Sequence, residues 1–193
     1  MLIASLFIAL QTVSAPVAPC AHDREALMAM SPERFDSTEV ISWRTLANNQ
    51  TCLAVAANLL RDYRESHRAV LDISQLHLNY WHEGQLRAGL GQTARAVRLM
   101  MAGVDPSVTS DGFADYALGS VAFLNRDLEG LKTARDRLAA TPPPEDWDEA
   151  VAEFRAKFGR EIAWPMNLDV LDGLIICFDK PYLEAYGDAS CRP

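Results

Sequence analysis

The chain has 193 residues, of which 49% are hydrophobic and 23% are charged, and its formal net charge is -8. This length predicts a single domain, with or without a removable segment. The composition excludes a long disordered chain, a collagen and a polytopic membrane protein. The negative charge excludes a general nucleic-acid binder, because such proteins need a basic surface to contact phosphates.

The N-terminal segment predicts export. Residues 1–10 read MLIASLFIAL, an apolar run that is too short to span a bilayer and is typical of a secretory signal peptide. We predict a signal peptide over residues 1–18, cleaved between residues 14 and 18, and a mature domain over residues 19–193. The apolar run is not preceded by Lys or Arg, which is atypical, and a buried N-terminal helix is the alternative. The predicted location is periplasmic or secreted, with no transmembrane anchor.

Four cysteines lie near the two ends of the mature chain. An oxidising compartment favours disulfides, and four cysteines allow three connectivities. The simplest pairing joins Cys20 to Cys52 and Cys177 to Cys191. The chain has no Cys-x-x-Cys motif and no Cys/His cluster, so we predict disulfides rather than a metal site. We expect no cofactor.

Helical periodicity recurs along the mature chain, and no stretch alternates apolar and polar residues as a half-buried strand does. Thr51 and Asn167 are suitable N-cap residues, and Gly103 followed by Pro106 is a suitable helix end. In chain order, the predicted helices cover residues 37–47, 51–65, 70–90, 93–102, 111–124, 127–140, 147–158, 168–178 and 181–186.

A proline-rich connector divides these helices into two groups. Residues 141–144 read TPPP, which favours a stiff extended segment. After the connector, apolar residues recur with the spacing i, i+4, i+7 and i+11, and Gly159 ends the helix that they predict. These apolar residues are Trp147, Val151, Phe154 and Phe158. We predict that residues 145–193 form a C-terminal helical cap.

Two glycines on consecutive helix pairs indicate a repeat. Gly84 and Gly119 are 35 positions apart (119 − 84), close to the 34-residue period of the tetratricopeptide repeat. The segment YWHEGQLRAGLG over residues 80–91 resembles this repeat, with Ala96 and Met100 on the paired helix. A glycine inside a helix costs about 1 kcal/mol relative to alanine, so we expect Gly84 to permit a close approach between helices.

The second unit departs from the pattern at Asp115 and Arg135, and it has Arg126 where the first unit has a turn glycine. The resemblance covers residues 77–142. It implies an all-α fold of antiparallel helix hairpins stacked as a short array, followed by the C-terminal cap. An unrelated antiparallel helical protein, with glycines at this spacing by chance, is the alternative. The whole chain is similar to small exported bacterial proteins of unassigned function that carry such repeats.

The resemblance also implies a function, which is to hold an extended peptide or a partner helix on the inner, concave face. On the matching positions, that face includes Trp81, Gln85, Tyr116, Ser120 and Phe123. His82 lies three residues before Gln85 and shares its side of the helix. We therefore predict a binding module for a peptide or protein partner. In the alternative interpretation, Trp81 and Tyr116 are core aromatics and His82 makes a hydrogen bond between helices.

Motifs for catalysis are weak. The chain contains no Gly-x-Ser-x-Gly elbow, no phosphate-binding loop and no His-Glu-x-x-His zinc motif. His77 and His82 are five residues apart and lie on different sides of one helix, which disfavours a metal site. A binding role is favoured over an enzyme. The alternatives are an envelope enzyme, or an inhibitor that neutralises a basic toxin, with polar groups near His82 and Glu83.

Overall fold

The computed structural model describes residues 20–38, 40–104 and 112–192. These ranges contain eleven α-helices, two short 3₁₀ turns and no β-strand, which confirms the predicted all-α class. The predicted signal peptide, and the predicted helix limits at Pro106 and Asp111, lie outside the described residues. Within those same ranges, no helix is both long and apolar enough to cross a membrane.

The helices are numbered in chain order. They are α1 (Arg24–Met28), α2 (Pro32–Phe35), α3 (Trp43–Ala47), α4 (Leu53–Ser66), α5 (Ile73–Gly89), α6 (Thr93–Ala102), α7 (Phe113–Leu124), α8 (Leu128–Ala139), α9 (Trp147–Phe158), α10 (Leu168–Ile176) and α11 (Tyr182–Gly187). Helices α6 and α9 have the predicted bounds, and α8 differs from its prediction by one residue at each end.

Capping side chains explain where the observed helices start later than predicted. The helix predicted from residue 37 begins at Trp43, because the Ser42 side chain accepts a hydrogen bond from the Arg44 N–H. The helix predicted from residue 70 begins at Ile73. Asp72 accepts from the Gln75 N–H at 2.8 Å, and the Gln75 side chain accepts from the Asp72 N–H at 3.1 Å. This capping box satisfies two backbone donors that the helix leaves unpaired.

The N-terminal helices α1 and α2 were not predicted, because each is too short to show a periodic pattern. Each buries one apolar residue, Leu27 and Phe35, against α4. The Phe35 ring stacks on Tyr63 with 3.7 Å between centroids, and the Tyr63 hydroxyl donates to the Met30 carbonyl at 2.6 Å. Tertiary contacts therefore hold these two turns in helical form.

A larger core lies between α5, α6, α7, α8, α10 and α11. Helix α5 packs against α4 and α6, and α7 packs against α8. A Cβ atom at Gly84 would lie 2.7 Å from Met100 Cγ and 3.3 Å from the Ala96 carbonyl oxygen. Glycine at this position therefore permits the close contact between α5 and α6 that its position in the middle of a helix predicts.

Helix α10 closes the core over α7 and α8. A Cβ atom at Gly119 would lie 2.8 Å from Leu171 Cδ2, so this glycine permits a close contact between α7 and α10. Arg135 on α8 reaches the same helix, and its Nε lies 2.7 Å from Asp172 Oδ1. Arg135, which departs from the repeat pattern, thus holds α10 in place with an ion pair.

Two disulfides join the pairs of cysteines that the sequence favoured. Cys20 bonds to Cys52, with Cα atoms 5.4 Å apart, and links the N-terminal arm to the turn before α4. Cys177 bonds to Cys191, with Cα atoms 5.6 Å apart, and encloses α11 in a short loop. The predicted disulfides are confirmed.

Candidate ligand site along α5

The six predicted binding residues have different environments. Four of them are buried in the larger core, with no more than 3% of their surface exposed: Trp81, Tyr116, Ser120 and Phe123. Trp81 and Tyr116 pack together with 5.2 Å between ring centroids. In this structure these four side chains provide packing and not an open surface, contrary to the expectation that they line an accessible face. His82 and Gln85 remain partly exposed.

A chain of hydrogen bonds begins at Asp36 and passes through Arg44 to His82. Arg44 Nη2 lies 3.0 Å from Asp36 Oδ1 and 2.9 Å from His82 Nε2. A guanidinium group only donates, so Nε2 must accept, and the imidazole proton lies on Nδ1. Nδ1 then donates to Gln85 Oε1 at 3.2 Å. His82 is therefore neutral, and both of its ring nitrogens are engaged.

The pKa of His82 agrees with this assignment. Burial of the ring, together with the Arg44 charge, lowers this pKa from 6.5 to about 4, against the opposing effects of Asp36 and of the hydrogen bond with Gln85. A base with both nitrogens engaged must break a hydrogen bond before it takes a proton from a substrate. This geometry suits a structural or binding role for His82 better than proton transfer.

The hydrogen-bond chain continues from Gln85 into a cluster of tyrosines. Because Oε1 accepts from His82, Gln85 Nε2 faces the tyrosines, 3.3 Å from the Tyr186 hydroxyl and 3.5 Å from that of Tyr116. Tyr182 stacks on Tyr186 with 5.5 Å between centroids. Burial raises the pKa of Tyr182, against an opposing effect of the nearby Gln85 side chain. The Tyr182 hydroxyl is buried, and no group in the described part of the chain meets it with full hydrogen-bond geometry.

The partly exposed ends of this chain line an open cleft of about 270 Å³, here named the His82 cleft. It lies between α3, α5 and α11. Its apolar lining is contributed by Leu53, Leu86 and Leu183 among others, and its polar lining by Arg44, His82, Gln85, Tyr182 and Tyr186. Pockets for whole small molecules occupy about 300–1,000 Å³, so this volume suits a single side chain.

A second cleft of about 210 Å³, here named the Asn79 cleft, lies farther toward the start of α5. It is lined by Pro32, Glu33, Asp36, Leu71, Gln75, Leu78 and Asn79. Asn79 Oδ1 is buried, and no hydrogen-bond partner for it occurs among the residues described. Glu33 lies at the exposed edge, where it accepts a hydrogen bond from Gln75 at 2.9 Å. The polar groups of this cleft are mainly acceptors.

The two clefts lie along one face of α5. The lining residues on this helix are 75, 78, 79, 82, 85, 86 and 89, the i, i+3, i+4 pattern of a single helical face. Asp36 lines the Asn79 cleft, and its partner Arg44 lines the His82 cleft. We call the two clefts together the α5 groove.

Glu83 belongs to a different environment, although it follows His82 in the chain. Its carboxylate is fully buried and contacts three arginines: Arg64 at 2.7 Å, Arg87 at 3.0 Å and Arg95 at 2.8 Å. These contacts join α4, α5 and α6 from the side of α5 away from the His82 cleft. The expected grouping of His82 with Glu83 in one polar site is therefore not present in the described structure.

The sequence did not indicate four residues of the α5 groove, namely Arg44, Asn79, Tyr182 and Tyr186. Arg44 meets His82 from 38 positions away, and Tyr186 meets Gln85 from 101 positions away. The spacing of residues within a few positions of one another cannot indicate such distant pairs. The i, i+4 spacing of Tyr182 and Tyr186 was the one available signal, since it places both rings on one side of a short helix.

Comparisons with family models, with curated proteins and with solved structures found no match to this chain. Within the described ranges, no group of three or more potential metal ligands is close enough to hold an ion. The functional argument therefore depends on the geometry of the α5 groove.

The neutral His82 makes stability depend on pH. Above pH 6.5 the side chain is neutral in both the folded and the unfolded chain; between pH 6.5 and about 4, only the unfolded chain takes up a proton. Stability from this residue is therefore present above pH 6.5 and is lost as the pH falls. From about pH 7 to about pH 5, the wild type should lose about 2 kcal/mol relative to His82→Gln. Urea unfolding of both proteins measures this, and parallel pH profiles would contradict it.

Proposed function

We propose that this chain is an exported helical module that binds a peptide, or an exposed segment of a partner protein, in the α5 groove. The observation that carries the proposal is the pair of buried polar atoms without partners among the described residues, Asn79 Oδ1 and the Tyr182 hydroxyl. The residue Asn79 lines the Asn79 cleft, and the residue Tyr182 lines the His82 cleft. Buried polar atoms are almost always paired, and an unpaired one costs about 1–3 kcal/mol. A ligand that reaches both atoms recovers this free energy.

Export is supported by two independent features. Disulfides persist in oxidising compartments, and both pairs of cysteines are bonded. The apolar run at residues 1–10 has the length of a signal-peptide core. Together they support a periplasmic or secreted location for the mature domain.

The tetratricopeptide-like arrangement is supported by the matching ends of two helix pairs. Helices α5 and α7 end 35 positions apart (124 − 89), and α6 and α8 begin 35 positions apart (128 − 93). The two turns also match, since Gly91 has a φ of 70° and Arg126 a φ of 61°. In each turn the N–H of the following residue donates at 2.9 Å to a carbonyl of the preceding helix. These bonds run from Gln92 to Arg87 and from Asp127 to Ala122. We propose two stacked hairpins of this kind, with α10 and α11 in the C-terminal cap.

The groove indicates the chemistry of the ligand. The acceptors Asn79 Oδ1 and Glu33, beside apolar Leu71 and Leu78, suit a lysine or arginine with its aliphatic stem. The His82 cleft, which is lined by leucines and by polar side chains that include His82 and Gln85, suits a side chain with an apolar body and a polar tip, such as tyrosine. The two clefts are centred about six to seven residues apart along α5, near Asn79 and near Gln85, which corresponds to about 10 Å of helical rise. An extended peptide spans this distance in about three residues.

The test uses the mature, disulfide-bonded protein and a displayed peptide library with a basic residue and a tyrosine about three residues apart. Binding of selected peptides is measured by calorimetry. Tyr182→Phe removes one hydroxyl and should weaken binding about tenfold, while the stability of the free protein stays the same or increases. Asn79→Leu should remove the preference for a basic residue.

The matched control is Tyr80→Phe, the same chemical change on α5 at a residue outside both clefts. Its affinity should equal that of the wild type. A library that yields no binder contradicts the proposed function. So do binders that tolerate both Tyr182→Phe and Asn79→Leu.

A further inference from the structure

Helix α9 carries an apolar stripe that the rest of the described chain covers only in part. All twelve residues of α9 are described, and none of them is buried. Phe158 is 43% exposed. An amphipathic helix normally buries its apolar face against a neighbour. The stripe is formed by Trp147, Val151, Phe154 and Phe158. Its exposed apolar surface is therefore available for packing against another helix.

The helix is nevertheless well formed and fixed at its start. Trp147 packs edge-on against Trp164 with 4.9 Å between centroids, and Trp164 Nε1 donates to the Thr141 carbonyl at 2.8 Å. Gly159, with a φ of 65°, ends the helix in the left-handed conformation that glycine adopts readily. The open stripe is thus a property of an ordered helix.

The spacing of the stripe is symmetric about the centre of α9. The outer residues Trp147 and Phe158, and the inner residues Val151 and Phe154, are placed equally on either side of it. A second copy packed antiparallel therefore sets Trp147 against Phe158 and Val151 against Phe154, and two-fold symmetry repeats each of these two contacts. Such a self-complementary surface is what a two-fold dimer requires.

The charges beside the stripe favour the same antiparallel partner. Asp148 and Arg155 are seven residues apart and flank the stripe on one side. In an antiparallel pair the same flanks of the two helices meet, so Asp148 of each copy faces Arg155 of the other. Arg155 also contacts Glu161, and both side chains are more than half exposed. Arg155 can therefore leave Glu161 and pair with Asp148 of the other copy at little cost in free energy.

We propose that α9 is a self-association surface, on which a second copy of this chain packs antiparallel through the four-residue stripe. A single pair of twelve-residue helices buries less than a standard interface of about 1,200–2,000 Å², so the dimer is weak. We expect a dissociation constant of about 10–100 µM. The proposal does not depend on the α5 groove, and either can fail without the other.

Sedimentation equilibrium over a concentration series of the mature protein tests the proposal. Phe154→Glu places a charge in the centre of the stripe and should weaken dimerisation at least tenfold. No α9 residue is buried, so the fold should be retained, as circular dichroism checks. The matched control is Ala156→Glu, which adds the same charge on the opposite face of α9 and should leave dimerisation unchanged.

A charge exchange tests the antiparallel register. Asp148→Lys and Arg155→Glu, each alone, place like charges together and should weaken the dimer about three- to tenfold. The double variant Asp148→Lys/Arg155→Glu should restore most of the loss. A protein that remains monomeric at all concentrations overturns the proposal. Equal effects of Phe154→Glu and Ala156→Glu, or a double variant as weak as the singles, also overturn it.

Discussion

Replacing Glu83 with alanine is expected to lower the free energy of unfolding by about 3–5 kcal/mol. The carboxylate is fully buried and is the shared partner of Arg64, Arg87 and Arg95. Two of these arginine side chains are themselves buried, with 7% and 4% exposed. Removing the single negative charge leaves positive charges in the core that repel one another and lack their main acceptor.

The remaining contacts of the cluster do not replace Glu83. Arg87 also donates to Asn58 at 2.9 Å, and the guanidinium of Arg64 stacks over the Tyr80 ring at 4.1 Å. One nitrogen of Arg64, Nη1, is already buried without a partner among the residues that the structure describes. The loss of Glu83 therefore adds unpaired donors to a site in which one arginine nitrogen already lacks a partner among the described residues.

Urea unfolding of Glu83→Ala measures the effect, with Glu129→Ala as the matched control. Glu129 pairs with Lys132 at 2.9 Å on the surface of α8, with 84% of its side chain exposed. Exposed pairs contribute about 0–1 kcal/mol, so this variant should unfold almost as the wild type does. Similar losses in the two variants would show that the buried cluster contributes no more than a surface ion pair.

Replacing both Cys177 and Cys191 with alanine is expected to lower the free energy of unfolding by about 3 kcal/mol, because the unfolded chain gains freedom when a loop of this length is opened. The bonded cysteines are 14 positions apart. The loop contains α11, with Tyr182 and Tyr186 of the His82 cleft. Opening it should therefore also weaken binding of any peptide selected on the groove.

Thermal unfolding with and without reductant checks the effect of the disulfide. The wild type should lose stability on reduction. The variant should lose less, because only its Cys20–Cys52 bond is left to be reduced. The Cys20→Ala/Cys52→Ala variant is the control for binding, since its bond lies outside the loop that contains α11. Equal loss of peptide affinity in both double variants would indicate general destabilisation instead of a local role for the Cys177–Cys191 loop.

Features that depend on neighbouring residues in the chain were predicted well. The bounds of α6 and α9 follow from apolar spacing and from glycines at the ends, both of which act within a few residues. The close contact at Gly84 followed from the cost of a glycine inside a helix. The short helices α1 and α2 were missed, because their stability comes from packing of Leu27 and Phe35 on α4.

The candidate site was predicted only in part. His82 and Gln85 were identified, and both line the His82 cleft. Burial of Trp81 and Tyr116 agrees with the alternative interpretation that they are core aromatics. Whether an aromatic on a helix is buried or open depends on the elements that pack over it, and apolar spacing alone is the same in both cases.

The sequence by itself determined that this chain is helical, where most helices begin and end, and which cysteines form the simplest pairs. Helical hydrogen bonds join residues that are close in the chain, so apolar spacing reveals the helices, although the caps at Ser42 and Asp72 were not predicted. Only the tertiary structure decided which polar atoms are paired. Gln85 meets Tyr186 across 101 positions, and the lack of a partner among the described residues for Asn79 Oδ1 and the Tyr182 hydroxyl depends on the elements packed around them.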